Sequence, residues 1–469
     1  MKFTFLWTDI MVWLLVVSLL VWGWIVSRSP QVKKQWHSIF QSSIAISCAV
    51  ILLFYLMFAL LDSVHMRFAV ESSGDDSVKS ETQYQADMVS VLDKLFKHRI
   101  EHTERTYSAP FSTHEYAKSI VVNDQGISTQ QYLPLKHVAT DLAQGQSTSS
   151  DIVKKSLVGV AAGIVITVFL IALHLLLRSR SQKRGFKQQL NMVIKGQTKL
   201  PWRTAYLTLG GLIILFSWFY YLSFSYHVLG TDKVGGDVLY HSLKSIRTGV
   251  LIGILTTLVM LPVAIFLGIS AGLFGGWIDD IIQYLYTTLN SIPGVLLIAA
   301  AVLVMQVTMD NNPQWFETTV ERSDLRLVFL IMILGVTSWT GLCRLLRAET
   351  LKISQVEFVT AAKAFGVSKM AIIRRHIMPN LMHIILISVV LDFSGLVLAE
   401  AVLSYVGVGV DPTMHSWGNM INQARLEMAR EPMVWWSLLS AFLFMFVLVL
   451  AANLFSDRVQ FVLDPRAQK

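Results

Sequence analysis

Charge is scarce in this sequence. Only 15% of its 469 residues are Asp, Glu, Lys or Arg, whereas 54% are hydrophobic, and the mean hydropathy is +0.54. A water-soluble protein needs a larger polar exterior, so this composition excludes an ordinary soluble enzyme or binding domain. Cysteine is nearly absent as well. Cys48 and Cys343 lie within or beside apolar stretches, and residues 62–155 contain none, so no disulfide is expected there.

Two functional motifs are also missing. The sequence has no Gly-x4-Gly-Lys-[Ser/Thr] phosphate loop, so we do not expect this chain to bind ATP in that manner. It has no His-Glu-x-x-His zinc motif, and no catalytic residue is predicted. His98 and His102 have the spacing of two zinc ligands on one helix face. Their charged neighbours favour a solvated surface instead, so no metal site is predicted.

Long apolar stretches, in contrast, are abundant. A stretch of about 20 apolar residues crosses the roughly 30 Å hydrocarbon layer as a helix. Eight stretches contain no charged residue, and a ninth, 383–403, contains only Asp392 and Glu400. The sequence therefore predicts an all-α polytopic membrane protein with nine transmembrane helices. The charge-free stretches are 10–26, 43–61, 157–177, 205–224, 246–273, 281–309, 327–343 and 434–452.

The distribution of charge predicts the orientation. Residues 178–203 contain eight Lys and Arg and no acid, and residues 344–379 contain seven basic and two acidic residues. Short basic loops face the cytoplasm, which places the N-terminus outside and the C-terminus inside for nine spans. The net charge of +8 therefore gives no support to nucleic-acid binding. One inner loop disagrees locally, because Asp279 and Asp280 have no basic neighbour.

The chain divides into four predicted regions. Two helices (1–61) precede an extracytoplasmic segment (62–155), a third extra helix with a basic loop follows (156–200), and six helices complete the chain (201–469). The segment 62–155 is polar, and 82–103 has the apolar spacing of an amphipathic helix. We therefore expect a small α-rich domain or a partly ordered loop there.

Small residues recur at every fourth position in several predicted spans. Such faces allow close approach of two helix backbones in lipid. The partner helix belongs either to this chain or to a second, similar subunit, and the sequence leaves both open. Pro293 is expected to kink its helix. The small residues in question are Gly159, Gly163, Gly249, Gly253, Gly268, Gly272 and Gly276.

The most informative stretch is residues 355–380, which we call the elbow. Good helix formers in 355–365 are followed by Gly366, a residue suited to ending a helix. A second helix is predicted from Ser368 to a break at Pro379. A helix–glycine–helix segment with small residues and aromatic side chains suits docking into a groove of a partner. The alternative is a solvated basic loop.

The elbow resembles the EAA loop of ABC importer permeases. Ala361-Ala362, Gly366 and the later His376-Ile377-x-Pro379 carry the resemblance, and the second ("C-type") permease of oligopeptide, dipeptide and nickel importers is most similar. Thr360 stands where the family has its acid. Four further segments fit the same family in order: 227–238, 271–279, 398–420 and 453–466.

The resemblance implies a six-helix permease core over 201–469, preceded by three extra helices, in a bacterial inner membrane. It implies partners: a second homologous permease, one or two ATPase subunits that use ATP and Mg, an extracytoplasmic binding protein, and lipid. No cofactor is expected on this chain. A coupling loop, 347–380, would contact the ATPase through Thr360, Ala361, Ala362, Phe365, Gly366, Arg374 and Pro379.

Three residues are candidates for the translocation path or its outer gate. Glu400 lies either at a hydrated outer interface or near the gate, and Asp392, two turns deeper, is the better candidate for lining the path. Trp417 belongs to the region that resembles the family's external re-entrant segment. Peptides are the expected cargo, with nickel or another metal chelate as the alternative. A membrane sensor, in which 62–155 binds a signal, is the competing class.

Overall fold

The computed structural model describes residues 2–28, 30–68, 88–122, 128–138, 147–183, 185–316 and 318–463. These residues are mostly helical. In chain order, the helices are α1 (Trp7–Arg28), α2 (Pro30–Ile39), α3 (Ser43–Asp62), α4 (Val91–Leu95), α5 (Lys97–Ile100), α6 (Thr148–Gln182), α7 (Phe186–Ile194), α8 (Trp202–Leu222), α9 (Val238–Phe274), α10 (Gly276–Ser291), α11 (Gly294–Asp310), α12 (Thr319–Ser354), α13 (Glu357–Ala364), α14 (Lys369–Ile372), α15 (Met378–Tyr405), α16 (Trp417–Glu427) and α17 (Trp436–Leu463). The strands are β1 (Lys2–Thr4), β2 (His65–Arg67), β3 (Val89–Ser90), β4 (Ser119–Val122) and β5 (Ser128–Gln131).

Seven helices in the described ranges are long and apolar enough to cross a membrane. They are α3, α6, α8, α9, α12, α17 and the continuous helical stretch Lys369–Tyr405, and each contains one of the predicted spans. The apolar part of α1, Trp7–Val21, is shorter.

The predicted span over 281–309 is not one continuous helix. Helices α10 and α11 meet at a bend of 89°, as a broken span or a re-entrant loop. Pro293 disfavours a helical conformation in the residue before it, and Ile292 is extended, with φ −90° and ψ 131°. The proline therefore ends one helix and starts another, which is more than the kink expected.

The chain forms two compact units. The first comprises Met1–Thr4, Val26–Thr248 and His415–Phe455, and the second comprises Phe5–Ile25, Gly249–Met414 and Ser456–Lys469. Neither unit begins at residue 201, and the predicted region boundaries stay predictions.

In the first unit, the segment between α3 and α6 combines short strands with short helices. Strands β1, β2 and β3 form an antiparallel sheet, and β4 pairs with β5 as a hairpin. Of the helix predicted over 82–103, residues 82–87 lie outside the described residues. The remainder is strand β3 followed by α4 and α5, so the prediction of one continuous helix is wrong there. Helix α4 begins at Ser90, whose hydroxyl accepts from the Asp93 backbone N–H at 3.1 Å while the Asp93 carboxylate accepts from the Ser90 N–H.

The small-residue faces pack inside this chain. A Cβ on Gly163 of α6 would lie 2.7 Å from the Ile214 Cα of α8, and the Ser217 hydroxyl donates to the Gly159 carbonyl at 3.0 Å. In the second unit, Gly268 and Gly272 of α9 pack closely against α12, since a Cβ on either residue would lie under 3 Å from atoms of α12. Gly253 packs against α15 just as closely. These five glycines therefore serve packing within the subunit.

The core of the second unit lies among α9, α10, α12 and the elbow. Its fully buried members include Ala264, Cys343, Leu346, Ile377 and Leu381. The elbow is thus part of a packed core on one side.

Candidate functional site

The turn of the elbow is fixed by the backbone at Gly366. Helix α13 ends at Phe365, and Gly366 follows with φ +72°. The Gly366 N–H donates to the Lys363 carbonyl at 3.0 Å, and the Val367 N–H donates to the Ala362 carbonyl at 3.1 Å. This pair of hydrogen bonds is a Schellman motif, which requires a left-handed residue. The prediction that Gly366 ends the first helix is confirmed.

The second helix starts as predicted but does not end at Pro379. The Ser368 hydroxyl caps α14 by accepting from the Ala371 N–H. A π-helical turn, Ile373–Ile377, then leads directly into α15, which has Pro379 in its first turn. Proline lacks an N–H, and its ring would clash with the carbonyl of residue i−4 in an α-helix. The wider turn accommodates the proline, so the predicted break is wrong.

One side of the elbow is buried and the other is exposed. Val359, Ile372 and Ile377 are at most 1% exposed and belong to the core of the second unit. Opposite them, Phe365 is 87% and Met370 is 73% exposed. Burying such apolar side chains is favourable, so the exposed pair is suited to contact with another apolar surface.

The structure brings the predicted contact residues together on this one segment. Ala362 is half-buried against the core. The others are exposed: Thr360, Ala361, Phe365, Gly366, Arg374 and Pro379. The Thr360 hydroxyl bonds only within its own helix, to the Val356 carbonyl at 3.2 Å.

An ion pair that the sequence did not reveal joins α12, the helix before the elbow, to α10. The Arg347 guanidinium of α12 forms a two-pronged contact with the Asp279 carboxylate of α10, with Nη2 2.6 Å from Oδ2. Arg347 also donates to Gln283 at 3.2 Å. The inner loop that contains Asp279 has no basic neighbour in sequence, but Asp279 finds its positive partner 68 residues later in the chain. The pair therefore explains how this acidic loop is tolerated on the same side as the basic loops.

A short sequence match to a hydrolase motif has no matching structure. Gly268-Ile269-Ser270-Ala271-Gly272 has the Gly-x-Ser-x-Gly spacing. A nucleophile elbow requires a sharp turn from a strand to a helix, whereas Ser270 lies inside α9. The match is therefore incidental.

Known proteins share the part of the chain that contains the elbow. A family model described as "binding-protein-dependent transport system inner membrane component" matches residues 264–469. The glutathione transport system permease protein GsiD of Pectobacterium atrosepticum is 31% identical over 242 residues, covering 52% of this chain and 73% of that protein. The chain belongs to this permease family.

Two further proteins are similar to the permease. The dipeptide transport system permease protein DppC of Bacillus subtilis is 29% identical over 243 residues, covering 52% of this chain and 70% of that protein. A solved chain of the inward-facing MetNI methionine ABC transporter has a TM-score of 0.36 and 16% identity, covering 48% of this chain and 96% of that chain. That structural similarity is too low to support a conclusion. The sequence relatives confirm the resemblance and favour an ABC importer permease over a membrane sensor.

Two of the three candidate path residues of the permease lie in α15. Glu400 is 2% exposed, and its carboxylate accepts from the Ser404 hydroxyl at 2.8 Å. The Glu400 carboxylate is thus shielded from solvent within this chain, and both of its predicted positions, the outer interface and the gate, stay predictions. Asp392 is half-buried and has no hydrogen bond or ion pair with another described residue. Its role in lining the path stays a prediction.

Trp417 lies in the first unit at the start of α16. It is 1% exposed, and its indole Nε1 donates to the Ser242 carbonyl of α9 at 3.1 Å. Its neighbour Ser416 caps the helix by accepting from the Asn419 N–H. The ring therefore packs against the first turns of α9, and a role in the outer gate stays a prediction.

The permease has a buried charge cluster that sequence reasoning missed. Arg99 of α5 is 3% exposed, and its Nη2 donates to the Tyr226 carbonyl at 3.1 Å. Its Nε lies 4.0 Å from the carboxylate of Asp237, which also accepts from His227 at 2.7 Å. Burial alone raises the pKa of Asp237, but the hydrogen bond and charge of His227 and the charge of Arg99 lower it overall. The carboxylate is thus kept ionised.

A second cluster joins α4 to the same helix. The Lys244 ammonium of α9 lies 2.5 Å from the Asp93 carboxylate, and the Tyr240 hydroxyl donates to that carboxylate at 2.7 Å. Together, the two clusters attach the segment before α6 to the start of α9. We call them the clasp, defined by Arg99, Asp237, His227, Asp93, Tyr240 and Lys244. Each contact of the clasp between α4 or α5 and the later residues joins side chains that are 128 or more positions apart, so no local pattern could have indicated it.

The two histidines considered as metal ligands have other contacts. His98 stacks on Phe224 with ring centres 4.1 Å apart, and its Nε2 lies 3.0 Å from the Ser223 hydroxyl. Burial, together with the positive charge of Arg99 beside it, lowers the pKa of His98 to about 4. The Nδ1 of His102 bonds the His98 carbonyl. His98 thus packs against the residues after α8 as a neutral side chain.

Proposed function

We propose that this permease forms one half of the translocation path of an ATP-driven peptide importer. It pairs with a second homologous permease, and one or two ATPase subunits dock on its elbow. An extracytoplasmic binding protein delivers the substrate. ATP and Mg are used by the ATPase subunits, and this chain binds no cofactor of its own.

The observation that carries this proposal is the two-sided elbow. Its exposed Phe365 and Met370 offer apolar side chains to a groove, whereas Val359 and Ile377 fix the same segment to the core. Force applied to the exposed side is therefore passed to helices that the buried side contacts. Ion pairing of Arg347 with Asp279 adds a second link between α10 and α12.

The orientation follows from the basic segments. The elbow and residues 178–203 face the cytoplasm of a bacterial inner membrane, with the N-terminus outside and the C-terminus inside. Alternating access then exposes the path to each side in turn, which requires substrate and nucleotide to bind the two states unequally. Asp392, Glu400 and Trp417 are proposed for the path or its outer gate.

The cargo is proposed from the relatives. GsiD is named for the transport of glutathione and DppC for the transport of dipeptides, and glutathione is itself a peptide. A nickel or other metal chelate is the alternative cargo. Mass spectrometry of the molecule that co-purifies with the complex separates the two.

Co-purification tests the assembly. Affinity purification of the tagged permease in mild detergent should recover two ATPase copies and one homologous permease. Recovery of a kinase or another effector without any ATPase would instead support a sensor.

Cysteine labelling tests the position of the elbow. Cys48 and Cys343 are buried, and replacing both by Ala gives a background for single cysteines. Ala361→Cys should react with an impermeant maleimide only in inverted vesicles, and Gln314→Cys, in the loop predicted outside, only in intact cells. Labelling of Ala361→Cys from outside the cell would overturn the proposal.

A further inference from the structure

A cleft outside the family's shared region lies among α6, α7 and α8. Its volume is about 440 Å³. Leu175 of α6, Val193 and Ile194 of α7, and Leu207 and Gly211 of α8 line it with apolar surface. Helices α6 and α8 are long and apolar enough to span a membrane, so an apolar cleft between them is open to the hydrocarbon of the bilayer.

Helix α7 forms one wall of this cleft. It is a nine-residue helix with Val193 only 4% exposed on its inner face, whereas Ile194 beside it is 58% exposed. A short amphipathic helix that follows a span lies at the boundary between headgroups and acyl chains. The α7 end of the cleft is therefore at headgroup depth.

The same end of the cleft is strongly basic. Arg203 is among the lining residues, and residues 178–203 contain eight Lys and Arg and no acid. Arg178 stacks its guanidinium over the Trp202 ring at 4.9 Å, and the Trp202 ring lies 5.9 Å from that of Tyr206, which lines the cleft. Basic pockets between spans suit anionic headgroups.

Two buried donors near this end have no acceptor. The Nη1 of Arg178 and the Nε1 of Trp202 are both buried, and neither has a hydrogen-bond partner among the described residues. A buried donor without an acceptor is unfavourable. Arg178 and Trp202 do not line the cleft themselves, but they adjoin it through the Tyr206 ring, and an oxyanion at this end would offer each donor an acceptor.

We propose that this cleft binds an anionic phospholipid. One acyl chain occupies the apolar part, and the phosphate is held by Arg203, Arg178 and the Trp202 N–H. The apolar lining favours a lipid over free phosphate, and the excess of positive charge favours an anionic over a zwitterionic headgroup. The lipid would thereby lie between the last extra span, α6, and α8, the first helix of the predicted core.

Native mass spectrometry of the full chain tests this proposal. The protein is loaded in detergent with dioleoyl phosphatidylglycerol or with dioleoyl phosphatidylcholine, which has the same chains without net charge. Arg203→Gln should weaken retention of phosphatidylglycerol about fivefold, and Arg203→Gln with Arg178→Gln about 25-fold, on the basis of about 1 kcal/mol per charge. Arg180→Gln, an exposed arginine of the same segment that does not line the cleft, is the matched control and should have little effect.

A cleft-filling variant tests the apolar part. A Cβ on Gly211 meets nothing within 4 Å, so Gly211→Leu fills the cleft without a clash. It should reduce retention of both lipids, whereas Gly341→Leu, at an equally open and exposed helix glycine of α12, should not.

Four results would overturn the proposal. The first is equal retention of both lipids by the unmodified chain. The second is an equal effect of Arg180→Gln and Arg203→Gln, which would indicate a diffuse basic surface. The third is unchanged retention in Gly211→Leu. The fourth is a photo-crosslinker at Leu207 that reacts with a protein subunit instead of lipid.

Discussion

The conformation of Gly366 leads to the sharpest prediction for the elbow. Its φ of +72° lies in the left-handed region, and a Cβ placed there meets nothing within 4 Å. A substitution is therefore opposed by the backbone and not by a neighbouring side chain. The left-handed conformation costs an L-residue roughly 1–2 kcal/mol, less for Asn and more for a β-branched residue.

This cost is comparable to the gain from the turn itself. Each of the two hydrogen bonds of the Schellman motif contributes about 0.5–1.5 kcal/mol. Gly366→Val should therefore raise the population of frayed conformations relative to the intact turn by about 5- to 30-fold, since 1.4 kcal/mol changes an equilibrium constant by a factor of ten. Gly366→Asn should have the smallest effect, and Gly366→Ala an intermediate one.

The assay is ATP-driven peptide uptake in proteoliposomes that contain the whole complex. We expect uptake to fall in the order Asn, Ala, Val, while membrane insertion and subunit recovery stay unchanged. Gly341→Val is the control, because Gly341 is an exposed helical glycine without a left-handed φ and without neighbours within 4 Å. If Gly366→Val transported as fast as Gly366→Asn, the turn geometry would not matter for coupling.

Three further predictions concern charged groups. The pair of Arg347 and Asp279 should show a coupling of about 1 kcal/mol in a double-mutant cycle of thermal stability, because it is two-pronged but partly exposed; additive effects would contradict it. Asp237→Asn should destabilise the clasp by about 3–5 kcal/mol, because it leaves Arg99 buried without its counter-charge. Hydrogen exchange of residues 88–100 should then increase, and Arg99→Met in the same chain should reverse part of the loss. His98 has a folded pKa of about 4, below its ordinary value, so its contribution to stability is present above about pH 6.5 and is lost as the pH falls toward about 4. The protection factors of the same segment, which correct for the pH dependence of intrinsic exchange, should fall on going from about pH 7.5 to about pH 5, and His98→Gln should show no such fall.

What the sequence predicted well was local. The long apolar stretches became long helices, and the ending of α13 at Gly366 followed from residues within one turn of it. The rules for proline were less reliable. Pro293 ended a helix where only a kink was expected, and Pro379 was absorbed by a wider turn. Each outcome depends on whether the backbone around the proline can adopt another conformation. The proline alone does not determine this.

What the sequence did not predict was non-local. Strand β3 exists because it pairs with β2, and that pairing overrides the helical spacing of the residues around Val89. The clasp joins Asp93 to Lys244 across 151 positions. No periodicity or motif links such residues, so only the folded arrangement shows that the added segment is bonded to the start of α9.

The wide turn at Ile373–Ile377 has a geometric consequence for α15. A π turn contains one residue more than an α turn, so every later side chain is rotated by about 100° about the helix axis from where an uninterrupted α-helix would place it. The directions in which Asp392 and Glu400 point around the helix axis are thus set by a single surplus residue at Ile373–Ile377, earlier in the chain. Excising one residue from that turn would swing both carboxylates to another face while leaving the rest of α15 helical.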